Sequence, residues 1–216
     1  EDISKDIVSK LKNHEDFRKL FSNFLYEIGY NKGETFWDRF VVRVAPAENN
    51  LPYREASRIN IHRDTWGTNL YQQINWWAPV SNVEEKNTMI FYPDYFDVPV
   101  KNTTSTWDLN IYLANRKKGD FSYPSAPQLK EDLPSNINKI PVTIKPGEIL
   151  CFSGAHLHSS SKEKSENTRI SFEIRTICEN DLSSSTQAPN VDCDLQWKFP
   201  KIFKKINDNS PLKITS

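Results

Sequence analysis

Residues 58–64 read Arg58-Ile59-Asn60-Ile61-His62-Arg63-Asp64. Polar and apolar side chains alternate through Arg58 to His62, the period-two pattern of a half-buried strand. On a strand, residues i and i+2 point to one face. His62 and Asp64 would then aim an imidazole and a carboxylate at a common point. Arg58 and Asn60 share that face, and Ile59 and Ile61 pack on the other. A neutral imidazole with a carboxylate is a usual donor pair for a divalent first-row metal. Such a triplet also arises by chance, so a third ligand has to be found. Gly154-Ala155-His156-Leu157-His158-Ser159 supplies it, with His158 placed 96 residues after His62.

Working outward, the first thirty residues read as helix. Ile3, Ile7, Val8 and Leu11 fall at helical spacing, as do Phe17, Leu20, Phe21, Phe24, Leu25 and Ile28. Asn13 is a candidate cap for the second run, and Gly29 and Gly33 close it. Beyond Gly33 the period changes to two. Strands are expected at Phe40 to Val44, Arg58 to His62, Tyr71 to Trp77, Thr88 to Tyr92, Pro141 to Ile144, Glu148 to Phe152 and Thr168 to Thr176. Lys145-Pro146-Gly147 joins two of them by a turn. Helices first and strands afterwards predict a mainly β chain with buttressing helices (α+β), a sandwich or barrel and not an alternating βαβ sheet. Pro93 to Leu109 and Asn115 to Lys139 lack periodicity and read as long loops, either binding loops or surface excursions. One domain is expected: a helical buttress over 1–33, a core over 36–178 and a C-terminal extension over 179–216. In the extension, Trp197, Phe199, Ile202 and Phe203 are placed to dock on the body.

The 216 residues carry 28 Lys and Arg against 28 Asp and Glu. A zero balance argues against a general nucleic-acid binder. No apolar run is long enough to cross a membrane. The start, Glu1-Asp2-Ile3, has no signal-peptide pattern and no initiator Met, which leaves room for residues upstream. Three cysteines without a CxxC are no disulfide scaffold, and a cytoplasmic location is expected. Asn102-Thr103-Thr104 matches a glycosylation sequon and is read as chance.

The downstream pattern decides what the metal site is for. It runs Pro146-Gly147-Glu148-Ile149-Leu150-Cys151-Phe152-Ser153-Gly154, then His158, then Arg169-Ile170-Ser171, with Arg169 eleven residues after His158. Together with His62-Arg63-Asp64, this resembles the Fe(II)/2-oxoglutarate-dependent dioxygenases, in particular the phytanoyl-CoA dioxygenase-like branch. The resemblance spans Arg58 to Arg175. It implies a double-stranded β-helix (jelly-roll, cupin-like) core with N-terminal helices, and Fe(II), 2-oxoglutarate and O2 as cofactor and cosubstrates. His62, Asp64 and His158 match the metal ligands, a two-His, one-carboxylate set that leaves the opposite positions open. His156 is a register alternative, or an outer or substrate-side residue. Arg169 matches the arginine that pairs with the distal carboxylate of 2-oxoglutarate, since a guanidinium fork binds a carboxylate bidentately. Ser171 shares its face and could add a hydroxyl to the same carboxylate.

Gln73 and Asn75 are candidate cosubstrate contacts, or else line a polar interior. Arg58, Trp66, His156 and Arg175 are candidate substrate contacts; for Arg175 a surface role is equally open. Asp64 favours hydroxylation over halogenation, because halogenating relatives lack this carboxylate. One departure matters: Phe91-Tyr92-Pro93-Asp94-Tyr95 stands where the branch has a Gly-Ser-His stretch, so a coenzyme-A thioester substrate does not follow. The competing class is a non-catalytic metal-binding jelly-roll, or a lectin-like module stacking sugars on Trp66, Trp76, Trp77 and Trp107. Arg169 with Ser171 separates the two, because a lectin has no need of that arginine. A cupin-like isomerase or zinc hydrolase would want more His ligands or an HExxH helix. The arginines Arg54 and Arg58 before the metal segment suggest an acidic or phosphorylated small-molecule substrate. Turnover measured against a panel of acceptors is expected to favour anionic ones, and turnover of only neutral or cationic acceptors would count against this.

Overall fold

The computed structural model describes residues 10, 14–47, 59–120, 122–161, 163 and 165–214. The expected first helical run, the Asn13 cap and Arg58 lie outside the described residues. The second run is helix α1, Glu15–Glu27, with Glu15 and Asp16 in its first turn, where acidic groups suit the helix dipole. It ends in a Schellman motif. Gly29 sits at φ +98°, the Gly29 N–H reaches the Tyr26 carbonyl at 3.0 Å, and the Tyr30 N–H reaches that of Leu25 at 2.9 Å.

The remaining elements are β1 Thr35–Trp37, β2 Val41–Ala45, the short helix α2 Thr65–Thr68, β3 Ile74–Pro79, β4 Met89–Phe91, α3 Leu109–Lys117, β5 Ile140–Pro141, β6 Leu150–Ser153, β7 His158–Ser160, β8 Arg169–Cys178, α4 Glu179–Ser183 and β9 Lys204–Lys205. Six strands form one sheet in the order β6-β3-β8-β1-β9, with β2 also on β8; three form a second, β5-β4-β7. All pairings are antiparallel. The chain is thus mostly sheet with a few helices, as expected. Among the described residues no ladder joins the two sheets into a closed barrel.

Strand β8 is the spine, pairing with β1, β2 and β3. Its sequence alternates: Ile170, Phe172 and Ile174 on one face, Arg169, Ser171, Glu173 and Arg175 on the other. The apolar face is covered by α1. Phe21 and Leu25 pack with Trp37, Phe40, Trp76 and Ile174, and Phe24 and Phe172 border them. The Trp76 indole N–H donates to Thr176 Oγ1 at 2.8 Å, so the one polar atom of that ring is satisfied inside the layer. The other face of the large sheet meets the small sheet through Trp77, Leu150 and Phe152 against Met89, Phe91 and Val142.

Three expectations need correcting. Residues 59–64 do not form a strand: His62 makes an isolated bridge to His158, and the chain then turns into α2 with Asp64 in the αR region. Backbone bonds from Trp66 to Arg63 and from Gly67 to Asp64 close that turn, which costs the segment its ladder. The strand after it begins at Ile74, because Tyr71 and Gln72 occupy a turn. The stretches Pro93 to Leu109 and Asn115 to Lys139 are not wholly loop: Pro93–Tyr95 is a short 3-10 turn, and α3 takes in Leu109 from the first and residues 115–117 from the second, with Asp108 capping it by accepting from the backbone of Asn110 and Ile111. The extension docks as expected: Phe203 is fully buried with Phe36, Leu70 and Ile177, and β9 pairs with β1.

Leu25 is fully buried in the layer between α1 and the sheet. Leu25→Ala is expected to lower unfolding free energy by about 2–5 kcal/mol in urea denaturation. A loss below about 1 kcal/mol would mean that α1 contributes little to the body.

Candidate metal centre

His62 comes from the bridge to β7, Asp64 from the turn entering α2, and His158 from the first position of β7. The two histidines fix each other's backbone: His62 N–H donates to the His158 carbonyl at 2.9 Å and His158 N–H returns to that of His62 at 3.0 Å. Each ring is then oriented by the same local device. His62 Nδ1 lies 2.9 Å from the Asn60 carbonyl and His158 Nδ1 lies 2.9 Å from the His156 carbonyl. A carbonyl only accepts, so Nδ1 carries the proton and Nε2 keeps its lone pair. Both Nε2 atoms turn to one carboxylate: His62 Nε2 is 3.9 Å from Asp64 Oδ1, and His158 Nε2 is 3.5 Å from Oδ2. The three donor atoms lie within 4.8 Å of one another, a group able to hold a metal ion.

The electrostatics suit that donor set. Burial, then the neighbouring His158, lowers the His62 pKa to about 4, so the ring is neutral at pH 7. Burial alone would raise the Asp64 carboxyl; His158, His62, Arg175 and the Asn75 amide together hold it below the usual range. Asn75 Nδ2 donates directly to Asp64 Oδ2. The Asn75 amide is itself oriented by Gln73, whose Nε2 donates to Asn75 Oδ1 at 2.9 Å, while Thr68 Oγ1 donates to Gln73 Oε1 at 3.2 Å. Gln73 and Asn75, expected at the cosubstrate, thus stand behind the carboxylate. Arg175 stands there too: Nη1 is 3.9 Å from Asp64 Oδ1, and its other edge grips buried Asp38 at 2.5 Å.

Arg169 lies further along the same face of β8 and is 3% exposed. Its Nη1 donates to the Asn87 carbonyl at 2.8 Å and the guanidinium lies 5.8 Å from the Trp77 ring centre. Its Nε and the neighbouring Ser171 Oγ are buried without a hydrogen-bond partner. Among the described residues no carboxylate is within ion-pairing distance of it. Burial, and then Arg43, lowers its pKa to about 10, which leaves it charged at neutral pH. A buried cation beside an orphaned hydroxyl is the complement of a carboxylate. Phe91 and Phe152, which cluster with Trp77, flank His158, with ring centres 5.9 and 5.3 Å away.

The other expected residues are placed as follows. His156 is not in the ligand group. Its Nδ1 faces the Ser153 carbonyl at 3.1 Å, and Phe96 packs on it at 4.5 Å. Trp66 is fully buried and its indole N–H donates to Asp192 at 2.7 Å, so it is a packing group and not a surface for substrate. Trp76, Trp77 and Trp107 are buried as well, which removes the stacking platform that a lectin-like module would need. Sequence reasoning passed over Arg43 and Glu173, which form an ion pair on the same wall. Burial would raise Glu173, but Arg43 outweighs it and holds the carboxyl low. Glu173 was findable, since it shares the period-two face of Arg169 and Ser171. Asp38 carries no such signal; only the fold brings it to Arg175.

No family model matches the chain, and no curated protein matches it. Solved structures do. EvdO2 from Micromonospora carbonacea var. aurantiaca, complexed with 2-oxoglutarate, is 10% identical with a TM-score of 0.50, over 81% of this chain and 64% of that one. SnoK, a non-haem alpha-ketoglutarate-dependent carbocyclase from nogalamycin biosynthesis, is 13% identical with a TM-score of 0.43, over 80% of this chain and 63% of that one. ThoJ, a non-haem monooxygenase, is 14% identical with a TM-score of 0.45, over 68% of this chain and 47% of that one. This chain therefore spans about half of ThoJ and under two thirds of the other two. At these identities the likeness is one of fold, and it rests on EvdO2.

A Cβ on Gly154 would lie 2.6 Å from Gln73 Nε2 and 3.4 Å from Asn75 Oδ1. Gly154→Ala is expected to displace the pair and destabilise the chain by about 1–3 kcal/mol in urea denaturation. A change under about 0.5 kcal/mol would show that these amides are free to move.

Proposed function

We propose that this chain is an Fe(II)- and 2-oxoglutarate-dependent oxygenase that acts on a small molecule, most simply as a hydroxylase. One observation carries the reading. The Nε2 atoms of His62 and His158 and the Asp64 carboxylate converge, and the same wall holds a buried guanidinium, Arg169, whose Nε and neighbouring Ser171 hydroxyl have no partner. Metal ligands alone would suit many proteins; a buried, incompletely paired arginine with an unpartnered hydroxyl on the same strand face supports this chemistry in particular. The fold likeness to EvdO2 is consistent with a double-stranded β-helix core. We assign the chain to the phytanoyl-CoA dioxygenase-like branch on its motif pattern and place it in the cytoplasm on its cysteines.

His62, Asp64 and His158 would hold the iron, and Arg169 with Ser171 would hold the distal carboxylate of 2-oxoglutarate. Bound together, iron, 2-oxoglutarate and O2 would supply the oxidising chemistry: O2 is the oxidant, one of its oxygen atoms going into succinate as CO2 leaves and the other into the substrate C–H bond. The chain's own part is orientation and shielding. Asn75 and Arg175 keep Asp64 ionised and fixed, so that it offers its lone pairs in one direction. Trp77, Phe91 and Phe152 cluster together, Trp77 against Arg169 and the two phenyl rings against His158, and apolar surroundings strengthen an arginine–carboxylate pairing. As a ligand, Asp64 would take the place that a halide needs in a halogenating relative.

Anaerobic titration with Fe(II) and then 2-oxoglutarate tests this. A weak visible charge-transfer band is expected, followed by slow succinate formation in air. His62→Ala or Asp64→Ala should abolish both. A wild-type chain that binds Fe(II) but gives neither band nor succinate would leave only a metal-binding module.

Arg169→Ala should raise the 2-oxoglutarate concentration required by about 30-fold or more, the equivalent of ~2 kcal/mol, with little change for iron. Equal losses for both ligands would mark Arg169 as structural.

A further inference from the structure

Arg63 lies between two ligand residues, yet it points away from the metal group. It is 3% exposed, and its guanidinium is spent on the fold. Nη1 donates to the Ala155 carbonyl at 2.6 Å and to that of Phe96 at 3.4 Å; Nη2 donates to those of Tyr95 at 2.7 Å and Val98 at 3.0 Å. Nε donates to Asp192 Oδ2 at 3.2 Å. Asp192 belongs to the C-terminal extension, far along the chain from the ligands. Its side chain is 5% exposed and accepts two more bonds, from the Trp66 indole at 2.7 Å and the Val100 amide at 3.1 Å. One carboxylate therefore holds residues on both sides of Asp64: Arg63 just before it and Trp66 just after.

The extension follows the same turn further. Asn69 Nδ2 donates to the Leu195 and Trp197 carbonyls at 2.9 and 3.0 Å, and the Phe199 N–H reaches the Thr68 carbonyl at 2.8 Å. Cys193 and Leu195 pack on Trp66 and Leu157, the residue before His158. Through Arg63, the clamp reaches Ala155 in the turn that carries His158 and the 95–98 loop whose Phe96 lies on His156. Each ligand-bearing turn is thus tied to Asp192 directly or through one guanidinium. Among the described residues the turn at 62–68 has one strand-type bridge to a sheet, at His62, besides its own short-range backbone bonds and one from the Thr65 N–H to the Gly154 carbonyl at 3.2 Å. Its placement against the sheets therefore draws on the contacts from Asp192.

We infer that Asp192 is a positioning residue of the metal centre: through Arg63 and Trp66 it sets the direction of Asp64 and His62, which makes the C-terminal extension part of the metal site. The inference rests on the metal-centre reading proposed above. Losing the carboxylate leaves the Arg63 guanidinium buried and short of its counter-charge, so the turn relaxes. Outer partners of ligands commonly change metal affinity by about 10–100-fold.

The test uses the full chain and Co(II) alone, read by its visible absorption and by calorimetric titration, beside the melting temperature of the metal-free protein. Asp192→Asn is expected to stay folded, bind Co(II) about 10–100-fold more weakly and show an altered Co(II) spectrum. A second variant covers a purely structural role. Leu25→Ala, in the layer between helix α1 and the sheet, lowers stability without touching the Asp192 carboxylate. Its melting temperature should fall while Co(II) affinity and spectrum stay at wild type. Wild-type Co(II) affinity and spectrum in folded Asp192→Asn overturn the inference, as does a Co(II) affinity that falls equally in Leu25→Ala. A wild-type chain that binds no Co(II) at all removes the metal centre itself, and the inference falls with it.

Discussion

The structure depends on keeping the Asp64 carboxylate ionised in a largely buried site between two sheets. Desolvation opposes the charge, and the protein answers with a graded set of partners. An amide donates to it and Arg175 supplies a cation whose own charge is balanced by Asp38, while two imidazoles turn their Nε2 lone pairs towards the same point. Carboxylate, imidazoles and amide can all accept or support a divalent cation in their midst. The arrangement thus holds together through its own hydrogen bonds while keeping two Nε2 lone pairs in reserve.

The cost of a polar interior falls on the opposite face of the same strands. β8 places Arg169, Ser171, Glu173 and Arg175 towards the site, so the burial that stabilises the sheet must come from Ile170, Phe172 and Ile174 and from the aromatic layer of α1. The rings there meet at centre distances of 5.5 to 6.5 Å and in mostly tilted or edge-on arrangements, the geometry that aromatic quadrupoles favour. The chain's high aromatic content has this use: large area buried by few residues on one side of the sheet, leaving the other free for chemistry. The C-terminal extension adds a second such layer around Phe203, and with Asp192 it also reaches back to the turn that bears two of the ligands.

Much of the site was legible in the sequence, though for a reason that partly fails. His62 and Asp64 do meet at one point, but not as i and i+2 of a strand. The chain leaves its bridge at His62 and turns into α2, and that turn delivers Asp64. The triplet spacing survives because a tight turn and a strand both bring alternate residues within reach of a shared centre. Trp66 illustrates the opposite error. Proximity in sequence to a ligand suggested a pocket residue, whereas its ring fills the core and its indole finds Asp192 from the far end of the chain.

By itself, the sequence determined the periods: helix at the start, strands afterwards, and a polar face along Arg169 to Arg175. It also determined which side chains could act as metal ligands or hold an anion. These are local properties, set by spacing along one segment and by the chemistry of single residues. The tertiary structure alone decided what stands behind those side chains. Asp38 on Arg175, Arg43 on Glu173 and Asp192 on Arg63 are each more than a hundred residues apart in the chain. No period or motif records such pairings, because buried charges are matched across space by whichever segments the packing of the two sheets brings together.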